Sequence, residues 1–212
     1  MPKNSSSEKK IIQSLIEIGK RLYQRGLIVG NEGNLSAKFS AKRIFITRSG
    51  SHKGFLTSSD ILLMDSNGKK ITGKGEVSSE KKFHLFIYQK RPEISAILHP
   101  HPPYAISCTL AGVSFEKPFM AETEVALGAI PTVPYATPTT QEIVKAIAQK
   151  LKNHRALLLE KHGAITLGKT LEQCFSAMEI LEQTARIYCI AKSLGEIEPL
   201  GVDEMKRLRA IL

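Results

Sequence analysis

The 212 residues include 30 lysines and arginines against 20 acidic residues, a net charge of +10, and 42% of the side chains are hydrophobic. That composition excludes a chain disordered throughout, and no run approaches the roughly 20 uninterrupted apolar residues of a membrane helix. The first ten residues lack the apolar core of a signal peptide, so the expectation is a soluble, unexported, cytoplasmic protein without a membrane partner.

Residues 8–25 place Ile11, Ile12, Leu15, Ile16, Ile18, Leu22 and Tyr23 on one stripe of a helix, with Ser5 and Glu8 as a candidate capping box and residues 1–7 as a flexible tail. After Gly30-Asn31-Glu32-Gly33-Asn34, segments rich in β-formers follow at 35–39, 43–47 and 61–64. The turn Asp65-Ser66-Asn67-Gly68 returns the chain as a hairpin through 69–72. Helical spacing resumes at 79–90, a buried strand is expected at 95–99, and a short helix at 102–111. Beyond Gly112 come a strand at 130–134, a helix at 139–152, strands at 156–160 and 164–167, a long helix at 170–194, and a basic amphipathic segment at 202–212. No linker and no internal repeat interrupts this order. The expected architecture is one domain over 1–212, α/β in class, with helices covering a mixed, largely antiparallel central sheet and residues 195–212 as a C-terminal helical segment.

Two compositional features bear on chemistry. Residues 1–53 hold 11 Lys/Arg against three Glu, an asymmetry that suits an anionic partner, either a nucleic acid or a phosphorylated metabolite, or else a plain basic surface. No zinc-knuckle or RRM-type aromatic motif accompanies it, and the chain has no tryptophan. Cys108, Cys174 and Cys189 are odd in number, far apart and set among apolar residues, which points to neither a disulfide framework nor a cysteine zinc site.

Among the histidines, His99 and His101 stand at i and i+2 at a strand end, so both imidazoles face the same side and can share a metal ion. His162 follows another strand end, where α/β proteins place ligands. Three imidazoles with an open position make a catalytic zinc site. His52 and His154 read as solvated loop residues, and His84 reads equally as a ligand or as a structural partner of Glu80, four residues earlier. Glu80 opens a helix behind Ser78 and Ser79, whose hydroxyls and amides suit a phosphate or simply cap the helix.

Taken in order, Gly33-Asn34-Leu35-Ser36, Thr47-Arg48-Ser49-Gly50, Ser78-Ser79-Glu80 with His84, His99-Pro100-His101-Pro102-Pro103-Tyr104-Ala105, Pro134-Tyr135-Ala136-Thr137 and Leu157-Leu158-Leu159-Glu160-Lys161-His162-Gly163-Ala164 resemble the class II aldolase/adducin family over residues 8–192. The resemblance implies an α/β/α sandwich that assembles as a homotetramer with active sites between subunits. It implies one metal ion per subunit, Zn2+ with Mn2+ or Co2+ as the alternatives, on His99, His101 and His162. It further implies Glu80 as the acid/base carboxylate and Asn34, Ser49, Gly50, Ser78 and Ser79 as the holders of a substrate phosphate.

The implied activity is cleavage of a deoxy- or methylthio-ketose 1-phosphate to dihydroxyacetone phosphate and an aldehyde through a metal-stabilised enediolate. Arg48 and Val77 replace the family's usual prolines. Met120 stands where fuculose-phosphate aldolases carry a catalytic tyrosine, and the segment 119–128 resembles family branches with a glutamate there, which implies Glu122, with Glu124 as its rival, as the second proton-handling group, unless Glu122 is a plain surface carboxylate. Two alternatives stand beside this reading: dehydration of methylthioribulose 1-phosphate on the same constellation, and a non-catalytic, adducin-like binding scaffold.

Overall fold

The computed structural model describes residues 3–210. The chain opens with α1 (Lys3–Gln24), then β1 (Asn34–Ser40), β2 (Arg43–Thr47), β3 (Ile61–Asp65) and β4 (Lys70–Thr72), with single 3-10 turns at Lys53–Phe55 and Ser58–Asp60. There follow α2 (Lys81–Lys90), β5 (Ala96–His99), α3 (Pro103–Leu110), α4 (Ala121–Ala126), β6 (Thr132–Val133), α5 (Gln141–Lys150), β7 (Ala156–Leu159), β8 (Gly163–Gly168), α6 (Leu171–Leu194) and α7 (Val202–Arg209). No helix among the described residues is long and apolar enough to cross a membrane.

The strands form a single sheet in the order β4-β3-β2-β1-β5-β8-β7-β6, antiparallel at every junction except β6 with β7. Strand alternation sends side chains to two opposite apolar layers. Leu35, Leu63, Leu98 and Leu158 meet Leu15, Ile18 and Leu22 of α1, Cys108 of α3 and Phe175 and Met178 of α6. Ile46, Leu62, Ile97, Leu157 and Ile165 face the other way, against Phe83 and Ile87 of α2 and Ile143 and Ile147 of α5. The result is the α/β/α sandwich that the resemblance implied.

The expected turn at Asp65 is present: Asp65 Oδ1 accepts from the amides of Asn67 and Lys69, and Gly68 takes φ +81°, a left-handed value that glycine adopts without strain. Two expectations change. Helix α1 begins at Lys3, so Ser5 lies inside the helix rather than at its cap, and Glu8 pairs instead with Arg43 at 2.7 Å. Helix α4 and the two 3-10 turns arise in segments where no regular structure was expected.

Candidate active site

The junction of β1 with β5 is where the sequence motifs meet, because Asn34 and His99 are register partners there. His99 is the last residue of β5 and His101 follows one proline later, its amide bonded to the Leu27 carbonyl at 3.0 Å. His162 comes from the tight β7–β8 turn, in which Lys161 adopts φ +59° and the His162 amide donates to the Leu159 carbonyl. The three rings face one another with centroids 5.1, 4.8 and 5.0 Å apart, and their ligating nitrogens all lie within 4.8 Å of one another.

The donor set fits a divalent metal. His99 Nδ1 donates to the Ala164 carbonyl at 2.9 Å and His101 Nδ1 lies 3.1 Å from Glu32 Oε2, the outer-shell partners that fix metal-binding tautomers. Their Nε2 atoms, and Nδ1 of His162, are buried with no hydrogen-bond partner. Burial, reinforced by His99, lowers the pKa of His101 and takes that of His162 to about 4, so both rings are neutral, the form that coordinates metal.

Glu80 borders this cluster. Its Oε2 is 3.3 Å from His99 Nε2, and its Oε1 is 3.7 Å from His162 Nε2 and has no hydrogen-bond partner. Burial alone would raise its pKa, but His99, His162 and the Asn34 amide overcome that and hold it at about 2. The carboxylate is ionised, with one oxygen uncommitted.

The other oxygen is committed through a buried relay. An ionised carboxylate only accepts, so Asn34 Nδ2 donates to Glu80 Oε2 at 2.7 Å and Asn34 Oδ1 is left to accept from His84 Nε2. His84 Nδ1 then accepts from the Ser36 hydroxyl at 2.7 Å, and the Ser36 oxygen accepts from the Tyr88 hydroxyl at 2.8 Å. His84 is fully buried and its pKa is pushed by burial to about 3, which keeps it in this single neutral tautomer. His84 is thus a partner of Glu80 at one remove, with Asn34 between them. His52 and His154 are not freely solvated: His52 packs edge-on to Tyr23, and His154 Nδ1 meets the Ala129 carbonyl.

Asn34, Ser49, Gly50, Ser78 and Ser79 all line one cavity of about 130 Å³, with Glu80 in its wall. The bridge between Arg48 and Val77 holds its two loops together, the Ser49 amide donating to Glu76 and the Ser78 amide to Thr47. Ser78 Oγ accepts from the Glu80 amide at 3.3 Å. Among the described residues the amides of Gly50 and Ser79 and the hydroxyls of Ser49 and Ser79 make no hydrogen bond, which leaves donors for an anion. Lys53 and Arg48 also border this cavity. Neither was given a role from the motifs: Arg48 stood only as a replacement for proline within Thr47-Arg48-Ser49-Gly50, and the surplus of basic residues before position 54 alone hinted at Lys53.

Glu122 stands elsewhere. It is exposed on α4 and lines a different cavity, of about 730 Å³, with Met120, Tyr104 and Glu182. Within one chain it bonds neither to Glu80 nor to the histidine cluster. Glu124 is buried in the same short helix.

A sandwich of this topology, with a three-imidazole centre against an ionised carboxylate and a donor-lined cavity, is that of the class II aldolases. The chain belongs to this family, since the family model described as Class II Aldolase and Adducin N-terminal domain matches residues 13–189. It is an enzyme of the lyase class, in a family characterised by metal dependence. It is 34% identical to the 3-oxo-tetronate 4-phosphate decarboxylase of Pectobacterium atrosepticum, covering 96% of this chain and 94% of that one. It is 32% identical to the 5-deoxy-D-ribulose 1-phosphate aldolase of Bacillus thuringiensis serovar kurstaki, covering 92% of each. The solved structure of an L-fuculose 1-phosphate aldolase superposes with a TM-score of 0.85 at 34% identity, covering 94% of each chain.

Proposed function

We propose that the protein is a zinc-dependent aldolase that cleaves the C3–C4 bond of a deoxy- or methylthio-ketose 1-phosphate, releasing dihydroxyacetone phosphate and an aldehyde. The observation that carries this reading is the position of Glu80, which belongs to both halves of the site: it lines the donor-rich cavity and lies within 4 Å of two of the three clustered imidazoles. A substrate spanning the two places its phosphate in one and its reacting carbons at the other.

In this reading Ser49, Gly50 and Ser79 hold the phosphate through the hydroxyls and amides that the fold leaves unbonded, Ser78 through the O–H that remains to donate while its oxygen accepts from the Glu80 amide, and Asn34 borders it while fixing Glu80. His99, His101 and His162 hold the metal, which when bound supplies Lewis acidity to the substrate carbonyl and its neighbouring hydroxyl. Glu80 Oε1, free because Oε2 is occupied by Asn34, is the oxygen that exchanges a proton with C3: in condensation the ionised carboxylate takes it from C3, and in cleavage it returns to C3 a proton first taken up from solvent. Removal of the C4 hydroxyl proton needs a second acceptor, and that role is assigned to Glu122 of a neighbouring subunit in a homotetramer. The setting is the cytoplasm.

A second reading has specific support. In the relative that decarboxylates 3-oxo-tetronate 4-phosphate, carbon dioxide departs instead of an aldehyde, and such a reaction has no C4 hydroxyl to deprotonate. Met120 in place of a tyrosine, and the separation of Glu122 from Glu80 within the chain, cost that reaction nothing.

The test is turnover by zinc-loaded protein of fuculose, ribulose, 5-deoxyribulose and methylthioribulose 1-phosphates and of 3-oxo-tetronate 4-phosphate, with every product identified by mass spectrometry. Triose phosphate plus aldehyde from a ketose phosphate is the expected result. Triose phosphate plus carbon dioxide from the 3-oxo acid alone selects the decarboxylase, and a product lighter by one water selects the dehydratase. Glu80→Gln is expected to retain zinc and lose roughly 10²- to 10⁴-fold in kcat.

A further inference from the structure

Lys53 is 1% exposed, in the 3-10 turn that packs beneath α1, where Gly19 and Gly54 permit the close approach: a Cβ at Gly19 would stand 2.6 Å from the Lys53 carbonyl, and one at Gly54 would strike the Tyr23 ring. Its ammonium donates to the carbonyls of Asn31 at 2.9 Å and Ser51 at 2.6 Å. An ammonium has three N–H groups, and among the described residues the third has no acceptor. Both partners are neutral, and no carboxylate among the described residues lies within ion-pair distance of Nζ.

The acid whose charge bears most on it, Asp60, is already spent. Asp60 Oδ1 takes Arg48 Nε at 3.0 Å and Nη2 at 2.6 Å, while Oδ2 takes the Thr57 amide at 3.0 Å and its hydroxyl at 2.8 Å. A buried cation with no counter-ion is costly unless something else supplies the charge. Lys53 lines the cavity of about 130 Å³ together with Gly50 and Ser79, whose amides make no hydrogen bond among the described residues.

We propose that Lys53 donates its third N–H to the substrate's phosphate and is the residue by which the cavity selects a doubly charged phosphoryl group. The inference rests on the reading of this cavity as the phosphate site. It carries a consequence that neutral donors do not have. Burial takes the lysine down to about 8, Asp60 opposing and Arg48 reinforcing. Above that pH the ligand-free amine is mostly neutral, and a bound dianion restores its proton. The other charged groups on the cavity are Arg48, which Asp60 holds, and Glu80, which stays ionised throughout this range. Tyr23 of α1 packs on Gly54, and His52 Nδ1 accepts from the Gly54 amide.

The experiment is calorimetric titration of the zinc-loaded full chain with inorganic phosphate at about pH 8.5 in two buffers of different ionisation enthalpy, where phosphate is already a dianion and only the protein can take up a proton. Expected is uptake of roughly three-quarters of a proton per phosphate bound. Lys53→Met is expected to abolish the uptake and weaken phosphate at least 10-fold. Lys53→Arg, charged at every pH of the experiment, is expected to bind phosphate with no uptake. Phosphate binding without uptake by the wild-type protein overturns the role of Lys53 and leaves the phosphate site standing, as does uptake that persists in both variants. Failure of the wild-type protein to bind phosphate at all overturns the reading of the cavity itself, and the proposal with it.

Discussion

A carboxylate has two equivalent oxygens until its surroundings make them different. At Glu80 the difference is made by Asn34, His84, Ser36 and Tyr88, whose hydrogen bonds all run in one direction and end on Oε2. His84 touches nothing that reacts and serves as a positioning residue. Its replacement by glutamine is expected to lower kcat about 10-fold, roughly 1.4 kcal/mol of barrier, with KM within twofold of wild type; steady-state kinetics decides. The same residue sets a pH dependence of stability. Folded His84 titrates near 3 and an unfolded histidine near 6.5, so the unfolded chain binds the extra proton between these values. The stability contributed by the neutral ring is complete above about pH 6.5 and is lost on acidification at up to about 1.4 kcal/mol per pH unit. Urea unfolding of the metal-free protein between about pH 7 and pH 4.5 is expected to be steeper in pH for wild type than for His84→Gln. The alternation of an extended chain made His99 and His101 a visible pair. The four-residue spacing marked His84 as a partner of Glu80 but not that Asn34 stands between them, because Asn34 and Ser36 lie on a strand some fifty positions earlier.

At the scale of elements, the β7–β8 turn aims His162 at the ends of β5. Gly163 is required there by space rather than by its own backbone angle: a Cβ would come 2.7 Å from the Pro100 carbonyl, 2.8 Å from the His101 ring and 3.1 Å from the His99 ring. Gly163→Ala is expected to weaken zinc 10- to 100-fold, measured by chelator competition, while leaving the circular dichroism spectrum intact. Strands of alternating or continuous apolar residues and the long helices declared themselves in the sequence, since each repeats its period several times. Helix α4 did not: six residues make fewer than two turns, too few for a period to register. The turn carrying Lys53 was equally hidden, because what holds it is the fit of Gly19 against its carbonyl and of Tyr23 against Gly54.

At the scale of the whole molecule, the two inferred halves of the site come from two halves of the sheet, the phosphate loops from the β1–β4 side and the imidazoles from β5 with the β7–β8 turn. In the proposed cleavage, Glu122, the second proton acceptor, lies in a different cavity from Glu80 within one chain. Assignment of that role to Glu122 therefore requires assembly, and light scattering is expected to give about four times the 23.4 kDa chain mass. A fully active monomer would remove Glu122 from the mechanism.

Strand β5 has four residues, yet it alone among the described strands joins two groups whose other pairings, apart from that of β6 at the edge, are between near neighbours in sequence. Pairings of the latter kind close short loops and form early, whereas β5 must bring Asn34 to His99 and Ala96 to Gly168 across long stretches of chain. The last residue of that strand is a metal-binding candidate. The pairings of β5 are therefore expected to form late, and the one with β8 brings His99 beside His162. A chain in which β5 has paired with β8 but not with β1 holds the three imidazoles without the donor-lined cavity, so the metal-binding half can be complete before the half that would take the phosphate.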